Sequence, residues 1–254
     1  MTTSELARDE TINQEVDMQE LSEFRLKCFQ LLQSEKGMKV SLDALIFAAS
    51  IEKKRQTALE IGAGTGIVSL VLAQDSLTDI TAVEIDPYIA SICQKNFSNS
   101  PFSDRLELFC ENFIDYSSRT EQRFELIISN PPFFQGSKQA TEKKRNLARH
   151  EMEFSYRDIF QASKTLLTEN GLIYLLMPFP RKSEILSEAL RYGLHLEELT
   201  AIKSRPQKEP KTAIFRFSRA KSWAKETEIV VYGAQGNTYT KPITSLLKPY
   251  LLKL

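Results

Sequence analysis

A glycine-rich loop between a predicted strand and a predicted helix restricts the fold of this chain more than any other feature. Residues 57–61 form a short apolar run typical of a buried strand, and Gly-Ala-Gly-Thr-Gly follows at residues 62–66. A helical apolar pattern begins at Ile67. Glycine lets the backbone turn tightly and approach a ligand, and open α/β sheets bind ligands at the carboxyl ends of their strands. The loop therefore predicts an α/β sheet with a nucleoside site at that edge.

Strand and helix patterns alternate along most of the chain, which predicts a doubly wound, mostly parallel sheet. Strands are expected at 57–61, 80–85, 106–110, 124–129, 172–177, 195–203, 212–218 and 228–232. Ser41 and Asp86-Pro87 are typical of helix starts. Ahead of the sheet, alternation from Phe24 to Cys28 and a turn around Lys36-Gly37 predict a short hairpin.

Charge and cysteine content exclude several classes of protein. The 254 residues carry 33 basic and 33 acidic side chains, so any nucleic-acid contact must rest on local charge. Residues 1–23 hold seven acids against one arginine and predict a flexible acidic tail before a single domain at 24–254. No signal-peptide pattern and no run of about 18 apolar residues occurs, so we expect neither secretion nor a membrane span. Three cysteines without a C-x-x-C pair predict reduced thiols, a cytoplasmic location and no metal.

The glycine loop has a carboxylate partner in Glu84, which lies 18 residues after Gly66 at the end of the second predicted strand. A carboxylate there can accept both hydroxyls of a ribose. The pair is compatible with a dinucleotide or with S-adenosylmethionine. The spacing G-x-G-x-G differs from the dinucleotide pattern G-x-G-x-x-G and favours the methyl donor.

A second motif, Asn130-Pro131-Pro132-Phe133, follows directly on the fourth predicted strand of the sheet. The amine of a conjugated ring is a weak nucleophile because its lone pair is delocalised. The Asn130 side-chain oxygen and the Pro131 carbonyl can each accept one N–H of such an amine and stabilise the charge that develops on nitrogen. Pro131 and Pro132 stiffen the loop, and Phe133 offers a face on which a base can stack. The motif predicts methylation of an exocyclic amine.

Together these motifs make the chain similar to the class I S-adenosylmethionine-dependent methyltransferases of the N-P-P-[FY] group. Within that group it resembles the bacterial valine-tRNA (adenine-37-N6) methyltransferase family. The resemblance extends over about 24–254 and is carried by the motifs at 37–40, 60–66, 82–86, 130–134, 148–151 and 239–240, with Asp43.

The resemblance implies a Rossmann-like fold with a mostly parallel seven-stranded sheet, helices on both faces, and the preceding hairpin. It implies N6-methylation of adenine 37 beside the anticodon of a valine tRNA. We expect a monomer rather than an obligate oligomer. Donor contacts are implied at Lys39, Glu60, Gly62, Gly64, Gly66 and Glu84. Many relatives have an acidic residue after the third strand, whereas this chain has Asn112-Phe113. We expect Asn112 to accept from the adenine amine and Phe113 to stack on the ring.

Two basic stretches are expected to dock the RNA through its phosphates. Residues 138–157 hold six basic and three acidic side chains, and residues 203–225 hold eight basic side chains and one acid. The candidate RNA contacts are Lys138, Lys143, Lys144, Arg145, Arg149, His150, Lys203, Arg205, Lys208 and Lys211. An ordinary solvated surface is the alternative for either stretch alone.

Other functions remain open at this point. Methylation of guanine N2 in ribosomal RNA and of a release-factor glutamine both use an N-P-P aromatic loop. A dinucleotide-dependent oxidoreductase or a non-catalytic RNA-binding module would share only part of the pattern. Donor binding separates the oxidoreductase from the rest, and methyl incorporation into tRNA separates the binding module.

Overall fold

The computed structural model describes residues 21–34, 39–131 and 155–253. In those ranges the strands are β1 (Leu21–Arg25), β2 (Gln30–Ser34), β3 (Thr57–Ile61), β4 (Asp79–Glu84), β5 (Leu106–Cys110), β6 (Phe124–Ser129), β7 (Leu167–Pro178), β8 (His195–Lys203), β9 (Thr212–Ser218) and β10 (Lys225–Val230). The α-helices there are α1 (Leu42–Ser50), α2 (Ile67–Asp75), α3 (Pro87–Ser98), α4 (Phe113–Arg119), α5 (Tyr156–Leu166), α6 (Lys182–Arg191) and α7 (Lys241–Leu247). Residues 1–20 of the tail predicted at 1–23 lie outside these ranges, and β1 begins at Leu21, three residues before the predicted domain start.

The large sheet has the strand order β10-β8-β9-β7-β6-β3-β4-β5. β9 is antiparallel to both of its neighbours, and every other pair in this sheet is parallel. The carboxyl ends of all strands of this sheet except β9 therefore lie at one edge, which we call the carboxyl edge. The doubly wound, mostly parallel sheet predicted from the sequence is confirmed.

The described part of the sheet has eight strands, as many as the strand patterns in the sequence and one more than the seven that the resemblance implies. The additional strand is β10, which pairs in parallel with β8 from Lys225 to Val230. β10 begins three residues before the strand predicted at 228–232. The sequence pattern missed this start because Lys225 and Glu226 are charged and exposed. Lys225 pairs with Glu198 at 3.2 Å, and Glu226 pairs with Lys182 at 2.7 Å. Charged side chains suit an edge strand, where they oppose pairing with further chains.

Helices cover both faces of the sheet, as expected. One core contains the buried sides of α1, α2, α3 and α7, with Ala58, Ala82 and Leu126 from the strands. The other contains α4, α5 and α6, with Leu59, Val83 and Ile127. Neighbouring residues of one strand enter opposite cores because side chains alternate across a sheet. No helix in the described ranges is both long and apolar enough to cross a bilayer.

The N-terminal hairpin is present with its turn at residues 26–29, whereas the turn predicted at Lys36-Gly37 falls outside the described residues. β1 and β2 pair antiparallel from Leu21–Ser34 to Arg25–Gln30. The chain therefore reverses at residues 26–29, where the Leu26 N–H donates to the Phe29 carbonyl at 3.0 Å. Leu26 and Phe29 are both buried. Burial of these two apolar residues fixes the turn, which lacks the glycine signal on which the prediction at Lys36-Gly37 relied.

Two predicted helix starts are confirmed. The Ser41 hydroxyl accepts the N–H of Ala44 at 3.1 Å ahead of α1. The Asp86 carboxylate accepts the N–H groups of Tyr88 and Ile89 ahead of α3, with Pro87 at the first helical position. These caps satisfy backbone donors that the helix itself leaves unpaired.

Candidate active site

The glycine loop lies at the carboxyl edge between β3 and α2. Gly62, Gly64 and Gly66 have φ of 71°, 57° and 82°, a region that side chains disfavour. The N–H groups of Gly62 and Ala63 both donate to the Val83 carbonyl, at 2.8 and 3.1 Å. These bonds hold the start of the loop against the end of β4.

The three glycines serve two purposes. A Cβ atom added at Gly62 or Gly64 would meet nothing within 4 Å, so both face open space. A Cβ added at Gly66 would lie 2.5 Å from Cε1 of Phe97 and 2.9 Å from Sγ of Cys93. Gly66 therefore permits close packing of α2 on α3. The open backbone at Gly62 and Gly64 is a cradle that fits a nucleoside-bearing ligand.

Glu84 joins the glycine loop to the turn after β4. One carboxylate oxygen accepts the Gly64 N–H at 2.8 Å, and the other accepts the Asp86 N–H at 3.0 Å. The residue is 9% exposed, and burial raises the pKa of its carboxyl above the usual value. A carboxylate has about four acceptor sites, so each oxygen keeps capacity for a ribose hydroxyl. The two backbone bonds orient the carboxylate for that use.

Glu60 lies beneath the loop, and its described bonds are structural. It is 2% exposed, and one carboxylate oxygen accepts both the N–H of Ser69, at 3.0 Å, and the Ser69 hydroxyl. Burial raises the pKa of this carboxyl to about 8. These bonds tie β3 to α2, so a direct contact from Glu60 to the donor stays a prediction.

Asn112 and Phe113 follow β5 at the same edge. The Asn112 side-chain oxygen caps α4 by accepting the Ile114 N–H at 2.8 Å. That oxygen keeps one lone pair for the predicted adenine amine. Phe113 is 5% exposed and belongs to the core under α4. Most of its ring packs against the protein, so the predicted stacking would use the small surface that remains.

The end of β6 places the second motif beside the glycine loop. β6 pairs directly with β3, and the Ser129 hydroxyl donates to the Ile61 carbonyl at 2.8 Å. The chain then continues into half-buried Asn130 and buried Pro131. Adjacent strands lie about 4.8 Å apart. The sheet thus brings Asn130 and Pro131 next to the cradle, whereas Pro132 and Phe133 lie outside the described residues.

Lys39 is exposed at the start of the segment that leads into α1. The Val40 N–H beside it donates to the side-chain oxygen of Gln33 on β2, at 3.0 Å. The hairpin therefore anchors this segment.

The four basic residues chosen from the second stretch belong to the carboxyl edge. β8 ends at Lys203 and β9 begins at Thr212, so the connection that carries Arg205, Lys208 and Lys211 lies there. Lys208 and Lys211 are exposed. Lys203 pairs with Glu228 at 2.8 Å. β8 is three strands from β6, which corresponds to about 14 Å.

Arg205 is held by the turn that follows β10. Its guanidinium donates to the Gly233 carbonyl at 3.1 Å and to the Asn237 side chain at 3.0 Å. It also lies over the Tyr232 ring, 5.7 Å from the centroid, and that ring stacks on Tyr239. Arginine has five N–H donors, so this fixed guanidinium retains donors for a phosphate.

The 203–225 stretch is not one continuous basic surface. β9 runs away from the carboxyl edge, so Arg219, Lys221 and Lys225 lie at the opposite edge of the sheet. Arg216, within β9, pairs with Glu197 and Glu198 at 3.1 and 3.0 Å. The candidate contacts at Lys138, Lys143, Lys144, Arg145, Arg149 and His150 lie outside the described residues.

Sequence reasoning missed one polar residue at the site. Asn96 lies on the buried side of α3 and bonds to the backbone of the glycine loop at Thr65. The available signal was its position among Ile92, Cys93 and Phe97, the apolar stripe of that helix. A polar side chain on such a stripe needs hydrogen-bond partners inside the protein.

Comparison with known proteins now identifies the family. A model of the methyltransferase small domain matches residues 37–192, which is more than half of the chain. A relative from Flavobacterium psychrophilum named tRNA1(Val) (adenine(37)-N6)-methyltransferase is 32% identical over 234 residues, covering 91% of this chain and 100% of the relative. The chain belongs to this methyltransferase family. A second relative of the same name, from Actinobacillus pleuropneumoniae, is 33% identical and covers 91% of this chain and 98% of its own.

Solved structures agree with the fold of the methyltransferase. A predicted O-methyltransferase from Agrobacterium tumefaciens superposes with a TM-score of 0.64 at 17% identity, over 82% of this chain and 96% of that one. TYW2 of Pyrococcus horikoshii, solved in complex with MeSAdo, gives a TM-score of 0.56 at 13% identity, over 81% and 74% of the two chains. The Rossmann-like fold and the S-adenosylmethionine-dependent class predicted from the motifs are confirmed. In the described ranges no group of three or more His, Cys, Asp and Glu is arranged to hold a metal ion.

Proposed function

We propose that this methyltransferase transfers a methyl group from S-adenosylmethionine to the N6 amine of adenine 37 in tRNA1(Val). The observation that carries the proposal is the position of Asn130 and Pro131 at the end of β6, beside the glycine cradle on β3. The names of the relatives supply the substrate. The residues fit the donor because Gly62 and Gly64 leave an open cradle and Glu84 is oriented at its rim.

The donor, when bound, supplies a methyl group on a positively charged sulfur. The protein has to hold the adenine amine in line with that methyl group and accept hydrogen bonds from the two N–H groups of the amine. The Asn130 side-chain oxygen and the Pro131 carbonyl provide two acceptors. They direct the nitrogen lone pair toward the methyl group and stabilise the positive charge that develops on nitrogen. No strong base is needed because the methylated cation loses its proton readily to water.

The RNA would dock across the carboxyl edge, with the target base at Asn130 and phosphates on the connection after β8. By strand spacing, the connection that carries Lys203, Arg205, Lys208 and Lys211 begins about 14 Å from β6, at the end of β8, and ends about 10 Å from β6, at the start of β9. An unpaired base in an anticodon loop can be turned out of its stack at a cost of a few kcal/mol. Phosphate contacts at that distance would set the position of the loop without reading its sequence.

Incubation with labelled donor and separate pools of tRNA, ribosomal RNA and release factor tests the proposal. Label is expected in tRNA, as N6-methyladenosine. Asn130→Ala should reduce transfer by about 100-fold, as loss of one oriented partner of the developing charge does in other enzymes. Asn99→Ala is the matched control, because Asn99 follows α3 at the opposite end of the sheet. Label found only in guanosine or glutamine, or full activity in Asn130→Ala, would contradict the proposal.

A further inference from the structure

Asn96 connects the N-terminal hairpin to the glycine loop. It lies on α3 and is 1% exposed. Its side-chain oxygen accepts the Leu32 N–H at 2.7 Å, and its nitrogen donates to the Leu32 carbonyl at 2.9 Å and to the Thr65 carbonyl at 2.8 Å. Both amide hydrogens are used, and the Leu32 N–H determines which side of the amide faces the hairpin.

Thr65 is the loop residue between the open Gly64 and the packed Gly66. It is 7% exposed, and its carbonyl is the atom that Asn96 holds. On the other side, the Gly64 N–H is held by Glu84 at 2.8 Å. Bonds from β4 and from α3 therefore fix the two consecutive residues that form the middle of the loop.

The hairpin also contacts the segment that leads into α1. Gln33, the residue after Leu32 on β2, accepts the Val40 N–H at 3.0 Å. Lys39, an expected donor contact, precedes Val40 directly. Two neighbouring residues of β2 thus support the glycine loop, through Asn96, and the segment that leads into α1.

From this geometry we infer that Asn96 is a positioning residue for donor binding. Through Asn96 and Gln33, the N-terminal hairpin holds the segments that form the donor site. The inference rests on the proposed function only in taking S-adenosylmethionine as the ligand of the glycine loop. Without the Asn96 amide, the Thr65 carbonyl and both backbone groups of Leu32 lose their partner. The loop then samples other conformations, and binding must remove them, which weakens affinity.

Binding of S-adenosylhomocysteine to the full chain, measured by calorimetry, tests the inference. Asn96→Leu keeps the branched shape of the side chain but makes no side-chain hydrogen bonds, and its Kd for S-adenosylhomocysteine should rise about tenfold or more. Ser91→Ala is the matched control. Ser91 is equally buried on α3, but its hydroxyl donates to the Tyr88 carbonyl within the helix and not to the loop. The Kd of that variant should stay within about twofold of wild type.

Hydrogen exchange in the ligand-free protein gives a second readout. In Asn96→Leu the amides of residues 62–66 and 31–34 should both exchange faster, by about tenfold, whereas Ser91→Ala should leave them unchanged. A purely local packing defect on α3 would not accelerate both segments.

The outcomes separate this inference from the proposed function. A wild-type chain that does not bind S-adenosylhomocysteine overturns both. A wild-type chain that binds it, with Asn96→Leu of equal affinity and unchanged exchange, overturns the inference alone. If Asn96→Leu does not fold, Asn96→Asp keeps the acceptor for Leu32 but has no N–H for Thr65. Its affinity should fall in the same way, and unchanged affinity in a folded Asn96→Asp overturns the inference.

Discussion

Replacement of single glycines in the loop by alanine should separate backbone strain from packing. Gly64 has φ of 57° and open space at the Cβ position. Gly64→Ala therefore introduces strain alone, and a left-handed alanine costs about 1–2 kcal/mol. Gly66 has φ of 82°, and its Cβ would meet Phe97 at 2.5 Å and Cys93 at 2.9 Å. Both neighbours are buried, so overpacking adds about 1–3 kcal/mol to the same strain.

We therefore expect Gly64→Ala to lower the free energy of unfolding by about 1–2 kcal/mol and Gly66→Ala by about 2–5 kcal/mol. Urea unfolding of the ligand-free variants at equilibrium measures both values. The clash can be tested separately in a Phe97→Leu background, which removes the ring edge. There Gly66→Ala should cost less than in wild type, and the coupling should be about 1–2 kcal/mol.

Equal losses for Gly64→Ala and Gly66→Ala would refute this reasoning. So would a cost of Gly66→Ala that does not change in the Phe97→Leu background. Either result would mean that Gly66 is not a packing glycine and that α2 and α3 do not approach each other as closely as the structure places them.

Two further predictions follow from burial and from charge placement. Because burial raises the pKa of Glu60 to about 8, its contribution to stability is complete below its unfolded-state pKa and decreases as the pH rises toward 8. Between about pH 5.5 and about pH 7.5, the unfolding free energy of Glu60→Gln should rise by about 3 kcal/mol relative to wild type in urea titrations, and a constant difference would contradict this. Lys208→Glu and Lys211→Glu should raise KM for tRNA and each lower the salt slope of tRNA binding by about 1, whereas Lys221→Glu at the opposite edge should leave both unchanged. Equal losses at the two edges would contradict docking at the carboxyl edge.

Local signals predicted the frame of the sheet well. The strands at 57–61, 106–110, 124–129, 195–203 and 212–218 have the predicted bounds. Ser41 and Asp86 cap helices as predicted, because capping depends on a side chain and the few residues after it. The glycine loop and Asn130 were found because their residue types are rare in that pattern and their chemistry is specific.

Features that depend on distant contacts were predicted less well. The hairpin turn at 26–29 is fixed by burial of Leu26 and Phe29, which no turn residue signals. The 203–225 stretch divides between two edges of the sheet because it contains β9, which runs antiparallel to its neighbours and carries the chain to the opposite edge. Asparagine is usually found at the protein surface. Asn96 acquires its role only from its partners Leu32 and Thr65, which are 64 and 31 residues away in the sequence.

The central claim is that the methyl group goes to N6 of adenine 37. Its most direct test is mass spectrometry of nucleosides from a tRNA1(Val) transcript incubated with the protein and S-adenosylmethionine. A transcript with guanine at position 37 is treated in parallel. We predict N6-methyladenosine in the first transcript and no methylation of the second. Methylguanosine in either transcript, or N6-methyladenosine in the one that lacks adenine 37, would contradict the assignment.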